Sequence, residues 1–125
     1  MAVAVSALER EGFAVTDVST PARATAAGLQ QWPGFDVWAR HPDGRERAVE
    51  VKGRASRGEV RVSDNEWATA CTQRDRYWLY VVWHCGSAAP RLLQVPDPFG
   101  RLLAHTGGGV TIDAADLVRA AERGG

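Results

Sequence analysis

The spacing of apolar residues changes several times along the chain, and each change marks a structural element. Residues 2 to 11 are helix formers, with Val5, Leu8 and Gly12 spaced to give one buried stripe and Gly12 as a helix stop. From Phe13 to Val18 the pattern has a period of two, which predicts a strand. Ser19 to Pro33 is rich in alanine, threonine and glutamine, with prolines near both ends. It reads as a long loop with at most one helical turn, the kind of segment that is often functional or disordered. Phe35 to Arg40 and Glu46 to Lys52 are strand-like again, joined by His41-Pro42-Asp43-Gly44. Proline presets one turn dihedral and glycine accepts a positive one, so the two strands form a hairpin. A basic loop, Gly53 to Gly58, leads into a short strand from Glu59 to Val62.

Ser63-Asp64-Asn65-Glu66 is a capping box, in which the serine caps one free amide and the glutamate reaches back to another. Val62 and Trp67 are placed to form the matching hydrophobic staple, and the helix should run to about Gln73. Tyr77 to His84 is almost entirely apolar and β-prone, which predicts a central strand buried on both faces. Arg91 to Val95 gives a further strand ended by Pro96, and Asp113 caps an amphipathic terminal helix from Ala114 to Arg123. The order of elements predicts an α/β domain, a mixed β-sheet flanked by helices. Its 125 residues suit a single domain, and no internal repeat is visible.

Composition narrows the function classes. The formal net charge is zero, so no overall field draws the chain to nucleic acid or to a membrane, and contact with DNA must come from a local patch. Met1 to Leu8 is apolar but lacks a basic start and runs into Glu9, Arg10 and Glu11, unlike a secretory signal. No stretch approaches transmembrane length, and a reduced cytoplasmic setting is the expectation. Cys71 and Cys85 do not make a disulfide framework, although one bridge stays open as an alternative. With His84 and His105 they show no regular zinc spacing. No nucleophile elbow, phosphate-binding loop or dinucleotide fingerprint is present.

Lys52 stands out for chemistry because it is the one lysine beside fourteen arginines. Lysine is a compact point charge on a flexible stem, and its pKa responds readily to burial. Glu50 and Lys52 are two apart in a strand and share a face, and the hairpin brings Asp36 beside Glu50. Magnesium takes hard oxygen ligands and keeps several waters, so two carboxylates can hold it beside a phosphate. Asp36 and Glu50 would supply those ligands, with the Val51 carbonyl as a further candidate. Such an ion polarises a phosphoryl oxygen and acidifies an attacking water. Lys52 would orient that water or stabilise the charge that develops on the phosphorus centre. The competing reading is an ordinary surface Glu–Lys pair.

Other residues carry two readings each. Glu9 and Glu11 lie on the first helix, where either could approach the site or simply face solvent, and Glu9 shares a face with Val5. Arg54, Arg57 and Arg61 follow the Glu-x-Lys in a loop with Gly53 and Gly58, suited either to DNA phosphates or to a solvated surface. Glu66 could be an acid or a ligand, but the capping box accounts for it. Trp67, Trp78 and Trp83 lie in apolar patterns as core residues, whereas Trp32 and Trp38 are less constrained and could contact a base.

Gly34-Phe35-Asp36, Pro42-Asp43-Gly44, Glu50-Val51-Lys52-Gly53, Ser63-x-Asn65-Glu66-Trp67, Arg76-Tyr77-Trp78-Leu79-Tyr80 and Asp97-Pro98-Phe99 together resemble the NO VEIN C-terminal domain family, a family of unknown function. That family looks like a branch of the restriction-endonuclease-like PD-(D/E)xK superfamily. The resemblance runs from about Val5 to Phe99. It implies a metal-binding acid at Asp36, a second acid at Glu50, a lysine at Lys52 and a first-helix acid most naturally at Glu9. One departure is Phe35-Asp36 where the superfamily has Pro-Asp. The resemblance further implies magnesium (manganese as substitute), DNA as substrate, a fused or associated helicase or ATPase in a restriction or phage-defence system, and pairing into a homodimer as one arrangement. A metal-dependent DNA endonuclease domain is the leading expectation. A non-catalytic module binding nucleic acid or protein on the same fold is the alternative, and a structural domain with a merely stabilising Glu–Lys pair is a third.

Overall fold

The computed structural model describes residues 1–30, 33–101, 105–106 and 110–124. In chain order the elements are α1 (Ala2–Arg10), β1 (Ala14–Asp17), α2 (Pro21–Ala26), β2 (Val37–Arg40), β3 (Glu46–Gly53), β4 (Val60–Val62), α3 (Asp64–Gln73), β5 (Tyr77–Trp83), β6 (Arg91–Pro96), α4 (Pro98–Arg101), β7 (His105–Thr106), β8 (Val110–Ile112) and α5 (Ala114–Gly124). Five strands form one mixed sheet in the order β1-β2-β3-β5-β6. β3 and β5 run parallel, and the other neighbours run antiparallel. A parallel pair needs a crossover, and the β4–α3 segment supplies it. β4 itself pairs with β8, and β8 with β7, in a small second sheet.

Alternation along β3 divides the chemistry between the two faces of the main sheet. On one face Val37, Ala39, Val49 and Tyr80 pack with Ala4, Leu8 and Phe13, so α1 covers that side. On the other, Ala48 and Tyr77 cluster with Val18, Ala24, Phe35 and Ala70, beneath α2 and α3. Farther along that face, Leu79, Val81, Trp83, Leu93 and Val95 pack on Val60, Val62, Ile112 and Leu117 of the second sheet and α5. Glu50 and Lys52 belong to this second, doubly layered face.

The predicted hairpin forms, with the His41 amide donating to the Arg45 carbonyl at 2.8 Å and Gly44 at φ +94°. The capping box also forms: Ser63 Oγ accepts from the Glu66 amide and Glu66 Oε1 accepts from the Ser63 amide. Val62 and Trp67 pack into one cluster, as the staple requires. Asp113 Oδ1 accepts from the Asp116 amide at the start of α5.

Three expectations need adjusting. The Ser19–Pro33 segment contains a six-residue helix, α2, because Thr20 caps it and Pro21 occupies its first turn. Regular pairing in β2 begins at Val37, although the Asp36 amide already donates to the Val49 carbonyl at 3.0 Å. β5 is fourth of five strands, yet it is buried on both faces because helices and the second sheet sandwich it. No helix among the described residues is long and apolar enough to cross a membrane.

Candidate active site

The β2–β3 ladder brings the sequence-predicted acids together. Val37 pairs with Val49, so Asp36, one residue outside β2, falls beside Glu50. The Val51 amide donates to Asp36 Oδ2 at 2.9 Å, which fixes the orientation of that carboxylate. Glu50 is only 3% exposed, and Lys52 Nζ lies 3.6 Å from its Oε2. Lys52 also donates to Oε1 and Oε2 of Glu66, at 2.8 and 3.1 Å.

Glu66 is the residue that the sequence reading set aside. Its capping bonds are real, but the helix it caps lies across β3, so the same carboxylate that closes the cap also grips Lys52. A signal was available in the crossover that a parallel β3–β5 pair needs, because the handedness of such a connection selects the face its helix covers. Tyr77 was missed too. It opens β5 opposite Ala48, and its hydroxyl is buried without a hydrogen-bond partner.

The electrostatics follow from this crowding. Burial, then the neighbouring Asp36 and Glu66 carboxylates, push the Glu50 carboxyl up to about 10. Burial alone would lower Lys52, but its hydrogen bond to Glu66 and the charges of Glu50, Glu66 and Asp36 outweigh that and raise it above its ordinary value. Burial likewise opposes ionisation of Glu66, yet Lys52, the Ser63 amide and Glu50 together hold its pKa below the usual value. Tyr77 is raised by burial and then by the three carboxylates, so it remains a phenol with a proton to donate. Lys52 is therefore a fixed cation rather than a base.

Glu50 Oε1 is buried and meets no hydrogen-bond donor. The Asp36 and Glu66 carboxylates crowd the group while the Lys52 ammonium sits 3.6 Å from its other oxygen, so the unpaired Oε1 suits a proton or a cation. That donor set fits a hard dication. It is not a closed cage: among the described residues, no group of three or more His, Cys, Asp or Glu side chains is arranged to hold a metal. Magnesium bound here would keep waters, as it usually does.

The remaining predicted residues are not assembled in this group. Glu9 is exposed on α1, which covers the opposite sheet face. The last turn of α1 joins β1 at Ala14, opposite Arg40, whereas Asp36 lies at the other end of β2. Glu9 is thus separated from the acids by the sheet and by the length of a strand. Glu11 accepts from Arg47 Nη1 at 3.3 Å, on that same far side. Arg54 is exposed and donates to the Glu59 carbonyl at 2.9 Å, and the Arg57 guanidinium lies 5.3 Å from the Trp83 ring centroid. Arg61 is an exposed residue of β4. Trp83 is fully buried and Trp67 and Trp78 are half-buried, while Trp32 lies outside the described residues.

The five-stranded mixed sheet with its flanking helices is a restriction-endonuclease-like fold. A solved structure of Hjc, a Holliday junction resolvase from the archaeal hyperthermophile Archaeoglobus fulgidus, matches with a TM-score of 0.65 over 100% of both chains at 19% identity. That level of identity speaks for the fold alone. Residues 4–95 match the family described as protein NO VEIN, C-terminal, and the chain belongs to that family. No curated protein matches it.

Proposed function

We propose that this chain is a divalent-metal-dependent nuclease domain that hydrolyses phosphodiester bonds in DNA. The observation that carries the reading is the buried Glu50 Oε1, without a hydrogen-bond partner, on the strand next to Asp36 and with Lys52 beside the same carboxyl. Asp36 and Glu50 would hold magnesium, with the Val51 carbonyl as a further candidate ligand. A magnesium ion there would offset the carboxylate charge, polarise a phosphoryl oxygen and acidify water. Lys52, kept protonated by its acidic neighbours, stabilises negative charge on the phosphoryl oxygens and takes up no proton. Glu66 keeps the ammonium on the site face of β3. Arg54, Arg57 and Arg61 serve as backbone contacts on the DNA strand that leads away from the site. A helicase or ATPase of a restriction or phage-defence system would deliver the strand, since the chain has no net charge to attract it.

A second reading is a non-catalytic DNA- or protein-binding module. It is favoured by the double hydrogen bond that ties Lys52 to Glu66. The two readings separate in a calorimetric titration with manganese or magnesium on wild type and Asp36→Ala, followed by incubation of the same samples with plasmid and oligonucleotide DNA. The nuclease reading expects metal binding that the substitution abolishes, together with metal-dependent nicking. Absence of metal binding in the wild type overturns it.

A further inference from the structure

The face of β3 that carries Glu50 and Lys52 also carries Ala48 and Glu46, and Trp38 stands opposite Ala48 across the hairpin. A cavity of about 240 Å³ opens there, with Phe35, Trp38, Glu46, Ala48, Gln73 and Arg76 among its walls. The α3 helix runs from the acids to this cavity. Its first turn holds Glu66 against Lys52, and its last residue, Gln73, edges the cavity. Ala48 is one same-face step from Glu50, about 6.6 Å along the strand.

The lining matches one kind of guest. Ala48 and Phe35 are buried and apolar, and Trp38 supplies an indole held by the Arg40 guanidinium 4.1 Å from its ring centroid. Glu46 and Arg76 at the rim are exposed; with the Gln73 amide they provide acceptors and donors for the edge of a planar heterocycle. An apolar, aromatic-walled slot with convergent polar groups is how proteins hold a nucleobase taken out of its stack. Ala48 is the smallest side chain in the row Glu46, Ala48, Glu50 and Lys52, and the cavity exists over it.

We propose that this cavity receives one unstacked nucleobase of the DNA strand whose phosphate lies at Asp36, Glu50 and Lys52. The proposal rests on the nuclease reading for the position of that phosphate, and it assigns a substrate class: a strand with an unpaired or extruded base next to the reacting phosphate. Ala48→Leu fills the cavity and Trp38→Ala removes its wall, and neither touches the acids.

The test uses fluorescence anisotropy with a labelled single-stranded DNA oligonucleotide and an abasic strand of the same length, in calcium. The intact strand should bind wild type about tenfold more tightly, within what base–aromatic stacking supplies. Each of the two substitutions should remove that advantage and leave the abasic strand's affinity unchanged, with thermal melting confirming the fold of each variant. Equal binding of the two strands by wild type, binding of neither, or an advantage that survives both substitutions overturns the proposal. Asp36→Asn keeps the two readings apart. A base advantage in a protein that binds no metal removes the nuclease reading alone, and metal-dependent nicking without a base advantage removes this one alone.

Discussion

Glu50 is the residue on which the site turns. Burial first, and then the facing Asp36 and Glu66 carboxylates, make its carboxyl take a proton, and its pKa moves from 4.5 to about 10. A carboxyl raised in the folded state binds its proton more tightly there than in the unfolded chain. Its contribution to stability is therefore full below about pH 4.5 and is lost as pH climbs towards 10. Glu50→Gln, which is neutral without taking up a proton on folding, should stabilise the metal-free protein between pH 7 and 9 by on the order of 2 kcal/mol, and chemical denaturation at pH 5 and pH 9 would show the gain confined to the higher pH. A dication must displace the same proton, so metal affinity should rise with pH by up to about tenfold per unit below pH 10, as calorimetry at pH 6, 7 and 8 would reveal. Flat affinity across that range would mean Glu50 is not a ligand. Lys52 should behave differently: Lys52→Met should keep metal binding but lower cleavage by about a hundredfold or more. Arginine should not restore it, because a planar fork does not replace a point charge.

At the scale of elements, α3 joins stability to chemistry. Ser63→Ala removes one half of the capping box and should cost about 1 kcal/mol in thermal or denaturant unfolding. The same change loosens Glu66, whose Oε1 is shared between the Ser63 amide and Lys52. Cleavage should therefore fall by more than the loss of folded protein explains, and a rate normalised to the folded fraction checks this. Glu66→Gln preserves the cap geometry but removes the charge, which isolates its effect on Lys52. On the opposite face, Arg47 is buried against Phe13 and Trp78, with its Nη1 donating to the Tyr80 hydroxyl at 2.6 Å. With its ion pair to Glu11 at the end of α1, Arg47 ties the first helix to β3 and β5 on the face away from the acids.

For the molecule as a whole, charge balance sets how it meets DNA. With fifteen basic and fifteen acidic residues, it has no long-range attraction to a polyanion. DNA binding by the isolated domain should be weak, and its dependence on salt should be shallow. Arg54→Ala and Arg57→Ala should each reduce the slope of log affinity against log salt by about one if they contact phosphate. A slope unchanged in both variants would mean that the loop after β3 is only a solvated surface. The hairpin, with Asp36 and Glu50 on adjacent strands, holds the acids on rigid backbone, and the arginines lie on the loops around it.

The local elements were legible in the sequence because their signals are local. Pro42-Asp43-Gly44 dictates its turn through backbone dihedrals, Ser63 and Glu66 close a cap within four residues, and the period of two in Glu46 to Lys52 determines which side chains share a face. Asp36, Glu50 and Lys52 could be paired in advance because a hairpin converts sequence distance into strand register. The rest depended on how elements pack. The placement of α3 across β3 turned Glu66 from a cap into the partner of Lys52, and brought Tyr77 and the Ala48 cavity to the same face. Glu9 falls on the far side because α1 covers the other face of the sheet, and helical periodicity says which stripe is buried but not against which face. The sequence by itself determined the elements, the hairpin and the pairing of its acids. Tertiary structure alone decided which charges share a buried space, since burial and the resulting shift of Glu50 depend on residues fourteen and more positions apart meeting away from water.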